Sequence, residues 1–209
     1  MIKTHAKNPQ SYDIYDFDKT IYKGDSSIHF YFFCLSKKPG LLVYLPYQLW
    51  HLILFLMKLE DRNTFKKHFF VFLRGLDDTA TVVEWFWQSH YQKIKPWYQD
   101  KDHSKDVIIS ASPEFLLQPL VGKLKPYRLI ATHMDPANGL INGKNCRGQE
   151  KVVRLRQVLG KPMVKKAYSD SLADLPILSM AEEGFIVKGD KILSLQSYQQ
   201  MPRFKRLFL

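Results

Sequence analysis

Asp16-Phe17-Asp18-Lys19-Thr20 places two carboxylates two residues apart, and Ser169-Asp170-Ser171-Leu172-Ala173-Asp174 places two more four apart. Carboxylates grouped in this way suit a hard divalent cation, and one of them can attack an electrophile. A calcium loop is excluded by spacing. Counted from Asp16, the sixth position is Ile21 where such a loop needs Gly, and the twelfth is Ser27 where it needs Glu. Between the clusters lie Ser110, after the apolar run Val107-Ile108-Ile109, and Lys151, in Cys146-Arg147-Gly148-Gln149-Glu150-Lys151. A hydroxyl and the backbone N–H groups of a strand-to-helix turn make an anion site. A lysine in the first turn of a helix opposes the helix dipole, and a bound phosphate would remove that conflict. Taken singly, each feature also has an ordinary reading: an acidic turn, an N-cap, a solvated lysine, a first-turn acid.

The surrounding elements decide whether these groups meet. Residues 11–17 read as a short strand running into the first acidic cluster. From residue 26 to about 98, aromatic and aliphatic residues recur at helical spacing, broken at Lys37-Lys38-Pro39-Gly40, Glu60-Asp61-Arg62-Asn63 and Leu76-Asp77-Asp78. Strand signals return at Val107-Ile108-Ile109, ended by Ser110-Ala111-Ser112-Pro113, with a helix expected from Glu114. Residues 127–132 read as a further strand, 151–159 as a helix, 165–168 as a strand and 185–187 as a last core strand. Strands alternating with helices imply an α/β fold, a parallel sheet wound on both faces, with ligands at the carboxyl ends of the strands. Asp16, Ser110 and Asp170 each follow an apolar run, so all three are expected along one edge of the sheet.

The order of these features, DxDxT, then a strand-ending Ser, then Lys, then DxxxD, resembles the four motifs of phosphatases of the haloacid dehalogenase-like superfamily. The resemblance spans Asp16 to Asp174. It implies a Rossmann-like α/β core from residues 1–24 and 99–209, with an inserted helical cap over residues 25–98. It further implies Asp16 as the nucleophile that forms an aspartyl-phosphate, and Asp18 as the acid that protonates the leaving alkoxide and later activates water. Ser110 and the Ala111 N–H would hold phosphoryl oxygens, with Lys151 as the neutralising cation. Mg2+ would be held by the Asp16 carboxylate, the Asp18 carbonyl and Asp170, and Asp174 would act through a metal-bound water or orient Lys151. Two positions depart from the common pattern: Ser169, where many members have Gly, and Lys19, where Gly or Ser is common. A cap between the first two motifs marks the phosphoserine-phosphatase-like subgroup. Within it, Asn145-Cys146-x-Gly-x-x-Lys151, Tyr168-Ser169-Asp170-Ser171 and Asp25 are most similar to bacterial phosphatidylglycerophosphate phosphatase C proteins. Phosphoserine phosphatases usually carry Glu where this chain has Asp25, which weighs against an amino-acid substrate.

Composition sets the partners expected. Lys and Arg number 31 against 20 Asp and Glu, a formal charge of +11, which favours phosphorylated substrates or anionic lipid. No nucleic acid is expected, since net charge alone speaks for it and no nucleic-acid motif is present. Residues 41–57 are an uncharged run near the lower limit for crossing a bilayer, interrupted by Pro46, Gln48 and His51. Lys37 and Lys38 precede it, and Lys58, Arg62, Lys66 and Lys67 follow, the pattern of an interfacial segment on anionic lipid. The competing reading is that these residues pack within the cap, as is also expected of Trp85, Trp87 and Trp97. The basic run at 203–208 is a further place for lipid contact. Cys34 and Cys146 are isolated, and the first residues lack the apolar core of a secretory signal, so a cytoplasmic setting is expected, with membrane association on the cytoplasmic face. The substrate expected is a phosphorylated small molecule or lipid such as phosphatidylglycerophosphate. The alternatives are a soluble phosphatase of small metabolites and a non-catalytic basic protein that binds lipid or nucleic acid.

Overall fold

The computed structural model describes residues 11–202 and Arg206. Strand β1 (Ser11–Tyr15) is followed by helices α1 (Ser26–Lys37), α2 (Leu45–Leu56), α3 (Arg62–Phe69), α4 (Thr79–His90) and α5 (Pro96–Gln99). The chain then runs β2 (Asp106–Pro113), α6 (Glu114–Leu124), β3 (Arg128–Thr132), α7 (Gln149–Leu159), β4 (Met163–Ser169), α8 (Leu175–Leu178), β5 (Glu183–Lys188), β6 (Lys191–Ser194) and α9 (Leu195–Gln200). The strand order is β3-β2-β1-β4-β5-β6. All neighbours are parallel except β5 and β6, which form an antiparallel hairpin.

Alternation along the strands builds two apolar layers. Ile14, Val107 and Ile109 join Val152, Leu155 and Ile177 on one face of the sheet, where α7 and α8 cover it. Tyr15 and Ile108 point to the other face and join Phe30, Phe86 and Trp87 from the inserted helices. Both faces of the parallel strands are therefore buried, as βαβ connectivity requires.

The breaks expected in the inserted region are helix boundaries. Asp25, Asp61 and Asp78 are N-caps of α1, α3 and α4, accepting from the backbone N–H groups of Ile28, Thr64 and Thr81. The insertion leaves and rejoins the core side by side. Tyr22 bridges Ile94 antiparallel, the Lys23 N–H donates to the Lys93 carbonyl at 2.8 Å, and the Lys95 N–H donates to the Ile21 carbonyl at 2.8 Å.

Three expectations change. Strand β2 does not end at Ile109 but runs on to Pro113, with its register against β3 shifting between Ile109 and Pro113. Strand β6 extends the sheet beyond the strand expected to be last. Residues 41–57 divide into a 3-10 segment, Pro39–Tyr44, and α2, and only Leu41 and Gln48 among them are buried. The segment Pro39–Leu56 is long and apolar enough to cross a membrane. Trp50, Ile53 and Leu56 are 59%, 49% and 69% exposed. Trp87 is buried and Trp97 half-buried, whereas Trp85 is exposed. The basic run at 203–208 lies outside the described residues, apart from Arg206.

Candidate active site

Strand β1 sits between β2 and β4, where the chain order of the sheet reverses direction. Ligands bind at such a switch point, beyond the carboxyl ends of the strands. Asp16 follows β1 directly, and its N–H donates to the Tyr168 carbonyl on β4 at 2.9 Å. Asp18 lies two residues on and is followed by a turn in which Lys19 has a φ of 60°. That left-handed conformation is one that Gly adopts without strain, and here Lys19 takes it.

Lys151, in the first turn of α7, is buried and donates from Nζ to Asp16 Oδ1 at 2.6 Å and to Asp174 Oδ2 at 2.7 Å. The expected conflict with the helix dipole is thus met by two carboxylates. Burial alone would lower the Lys151 pKa, but Asp16 and Asp174 outweigh it and hold it raised. Asp174 also accepts from the Ser169 hydroxyl at 2.8 Å. Ser169 therefore turns inward to Asp174. Asp170, at the end of β4, lines the same cavity as Asp16 and Asp18, and its carbonyl accepts from Lys188 Nζ at 2.6 Å.

Asp18 is held from two sides. Its Oδ1 accepts the Ser26 N–H at 2.6 Å, and its Oδ2 accepts the Ser112 hydroxyl. The Ser26 and Ser27 hydroxyls stand 3.1 and 3.2 Å from that of Ser112. Thr20, the last residue of the first motif, donates to Asp16 Oδ2 at 3.2 Å.

Ser110 is placed differently from expectation. It is buried, and its Oγ accepts the Ser112 N–H at 3.0 Å, while Ala111 and Ser112 line the cavity. Asp16, Asp18, Ala111, Lys151, Asp170 and Asp174 line one cavity, whereas Ser110 is buried and does not line it. The irregular register of β2 turns the Ser112 hydroxyl to Asp18. The cue in the sequence was its position two residues from Ser110.

Lys66 is a second residue that linear reasoning misplaced. Read as a basic flank of the apolar run, it reaches from α3 to the Ala111 carbonyl and to Asn145 Oδ1. Burial pushes its pKa down to about 8, against the pull of Asp18 and Asp25.

The electrostatics fit a divalent cation. Burial raises the pKa of Asp16 to about 7 and of Asp18 to about 6, with Asp25 adding to the second. Burial also raises that of Asp170. Lys151 pairs with the first of these carboxylates, Lys188 and Lys19 act on Asp170 and Lys66 lies near Asp18, yet burial still holds all three raised, an all-oxygen set that a divalent cation would stabilise.

The cavity, about 690 Å³, has two ends. The carboxylates and Lys151 close one. Tyr31, Phe32, Leu49, Leu52, Phe65 and Phe69 from the insertion line the other. Leu49 and Phe32 are 48% and 61% exposed, so the apolar wall continues onto the outer face of the molecule.

The sequence profile of the haloacid dehalogenase-like hydrolases matches residues 14–179, from β1 through α8. This chain belongs to that family. Protein CicA of Caulobacter vibrioides is 36% identical over 86 residues, which are 38% of this chain and 39% of CicA. The match thus spans well under half of that protein. Among solved structures, a protein of unknown function from Bordetella pertussis Tohama I superposes with a TM-score of 0.68 at 17% identity, covering 85% of this chain and 89% of the other. A probable phosphoserine phosphatase from Vibrio cholerae gives 0.58 at 12% identity, over 84% and 55% of the two chains. These likenesses establish the shared fold, a Rossmann-like sheet with inserted helices.

Proposed function

We propose that this hydrolase is a Mg2+-dependent phosphomonoesterase acting on a phosphate ester with an apolar tail, such as phosphatidylglycerophosphate, at an anionic membrane surface. The observation that carries this reading is the two-ended cavity, with carboxylates and Lys151 at its floor and an apolar wall leading outward. A phosphorylated headgroup fits the first end and an acyl or glyceryl portion the second.

In this reading an Asp16 carboxylate oxygen attacks phosphorus and the ester P–O bond breaks. The departing alkoxide takes the proton of Asp18, whose pKa burial raises to about 6, closer to neutral pH than a free carboxyl. Asp18, now a carboxylate, takes a proton from water as the water attacks phosphorus. Phosphate leaves, Asp16 is restored, and Asp18 is again protonated. Lys151 and the backbone at Ala111 hold phosphoryl oxygens, and Ser110 holds the Ser112 turn behind them. The Asp16 carboxylate, the Asp18 carbonyl and Asp170 would hold Mg2+, which supplies neutralisation of phosphoryl charge when bound. Asp174 and Thr20 orient Lys151 and Asp16. A role in binding alone leaves these carboxylates around one lysine without a purpose.

Membrane contact is assigned to the outer face of α2, with the protein on the cytoplasmic side of the bilayer. Exposed Trp50, Ile53 and Leu56 form an apolar patch of the kind that meets a partner or lipid, and exposed Lys58 and Lys67 flank it. Interfacial contact suits α2 better than spanning. Gln48 accepts from the Tyr31 hydroxyl at 2.7 Å and donates to the Phe69 carbonyl at 2.6 Å, tying the helix to the cavity wall. A spanning helix would break both bonds.

The test is phosphate release with Mg2+ from phosphatidylglycerophosphate in mixed micelles, from phosphoserine and from sugar phosphates. The lipid should give the highest kcat/KM. Better turnover of phosphoserine would replace the lipid reading with a soluble-metabolite phosphatase.

A further inference from the structure

The α2–α3 hairpin carries a second group of ligand-type side chains, separate from the carboxylates of the cavity floor. His51 on α2, Glu60 in the turn and His68 on α3 each offer one ligand atom, all within 4.8 Å of one another. His51 Nδ1 lies 2.6 Å from Glu60 Oε1, with the two side chains 13% and 12% exposed. The His51 and His68 rings stack with centroids 3.4 Å apart and 9° between planes. The Tyr47 hydroxyl stands 2.6 Å from His68 Nδ1. Glu60 Oε2 is buried and meets no hydrogen-bond donor among the described residues.

A buried carboxylate oxygen left without a donor costs about 1–3 kcal/mol. A simple His–Glu pair leaves this oxygen unanswered.

We propose that His51, Glu60 and His68 form a structural Zn2+ site that staples α2 to α3. Two ring nitrogens with one carboxylate suit zinc, whereas the oxygen-only set of Asp16, Asp18 and Asp170 suits Mg2+. Ligand atoms around tetrahedral zinc, with bonds of about 2.0–2.2 Å, stand roughly 3.4 Å apart. The three ligand atoms already lie within 4.8 Å of one another, and because a metal sits in the plane of each imidazole, closing on the ion turns the two rings out of their stacked, near-parallel arrangement. The fourth position falls to water or to the Tyr47 hydroxyl. The ion would answer the orphaned Glu60 oxygen and fix the hairpin that carries both Lys66 and the exposed face of α2. This proposal does not depend on the phosphatase reading.

The test uses the whole chain, stripped of metal by a chelator and kept in millimolar Mg2+ to occupy the carboxylate set. Zn2+ is titrated in competition with a chromophoric chelator. One Zn2+ per chain is expected. His68→Gln should lower affinity by about 100-fold or more, since even partners outside the ligand sphere are worth about 10–100-fold. Co2+ in place of Zn2+ should give the strong visible absorption of a four-coordinate nitrogen-containing site, lost in Glu60→Gln. No Zn2+ bound by the parent under Mg2+ excess would overturn the proposal, as would His68→Gln binding Zn2+ as tightly as the parent. If either variant fails to fold by circular dichroism, the parent's stoichiometry and Co2+ spectrum decide.

Discussion

Lys66 of the inserted helix α3 and Asn145 of the core meet at 3.0 Å, Nζ to Oδ1. Asn145 is held in turn by the Thr132 hydroxyl at 2.9 Å, at the end of β3. A cation from the insertion is thus delivered to the strand ends, beside the carboxylates that a phosphate ester would approach.

Lys66→Gln should therefore raise KM for a phosphate ester more than it lowers kcat, read from steady-state phosphate release. The same residue gives a pH signature. Its folded pKa, about 8, lies below the ordinary 10.5, so its charge costs folding free energy at pH 7. Between these values the native amine loses its proton before the unfolded one, and stability rises with pH. The deficit of the parent against Lys66→Met should shrink between pH 8 and 10 in urea unfolding. A difference that stays constant would refute the lowered pKa.

Asp16→Asn should abolish turnover, because an amide cannot attack phosphorus. Residual activity within about tenfold of the parent would remove Asp16 from the nucleophile role. Its folded pKa is raised, so the parent loses stability from this group as pH climbs from the unfolded value, 3.8, through about 7. Lys151 keeps Asp174 as a partner in the variant, so the fold should be retained, read by circular dichroism.

Activity should vanish on metal removal and return with Mg2+. Mg2+ should also raise the melting temperature of the parent, by the equivalent of about 2.7 kcal/mol at a concentration near 100 times Kd. Asp170→Asn should lose most of that shift. An enzyme fully active after exhaustive chelation would contradict the role proposed for Asp170.

Co-sedimentation with vesicles containing anionic lipid should weaken as salt rises, since exposed charges are screened over about 8 Å at physiological ionic strength. Trp50→Glu with Leu56→Glu should weaken it further. Both side chains are exposed, so hydrolysis of a small soluble phosphate ester should be unchanged. A parent that fails to bind such vesicles at low salt would end the interfacial reading.

The clustered carboxylates, Lys151 and the parallel core were legible because each follows a short apolar run or opens a periodic helix. Strand β6 was not, although Gly189-Asp190 between Lys188 and Lys191 is a two-residue hairpin turn that local rules recognise. Lys66 could not be read from its neighbours, because its position beside Ala111 depends on how α3 crosses the strand ends. His51, Glu60 and His68 are spread over two helices and a turn, at spacings that follow no linear metal motif. The exposure of α2 was equally hidden. Its composition is that of a core helix, and only the packing leaves it uncovered.

The paired bonds between Ile21 and Lys95 and between Lys23 and Lys93 carry a consequence for how such enzymes diversify. The two points where the insertion meets the core lie side by side, so a replacement segment of any length can be spliced there without lengthening a strand or shifting the sheet. Mutation or recombination confined to this stretch would exchange the apolar wall and Lys66 while leaving Asp16, Lys151 and Asp170 in place. Selection can then alter which substrate is admitted independently of how it is hydrolysed.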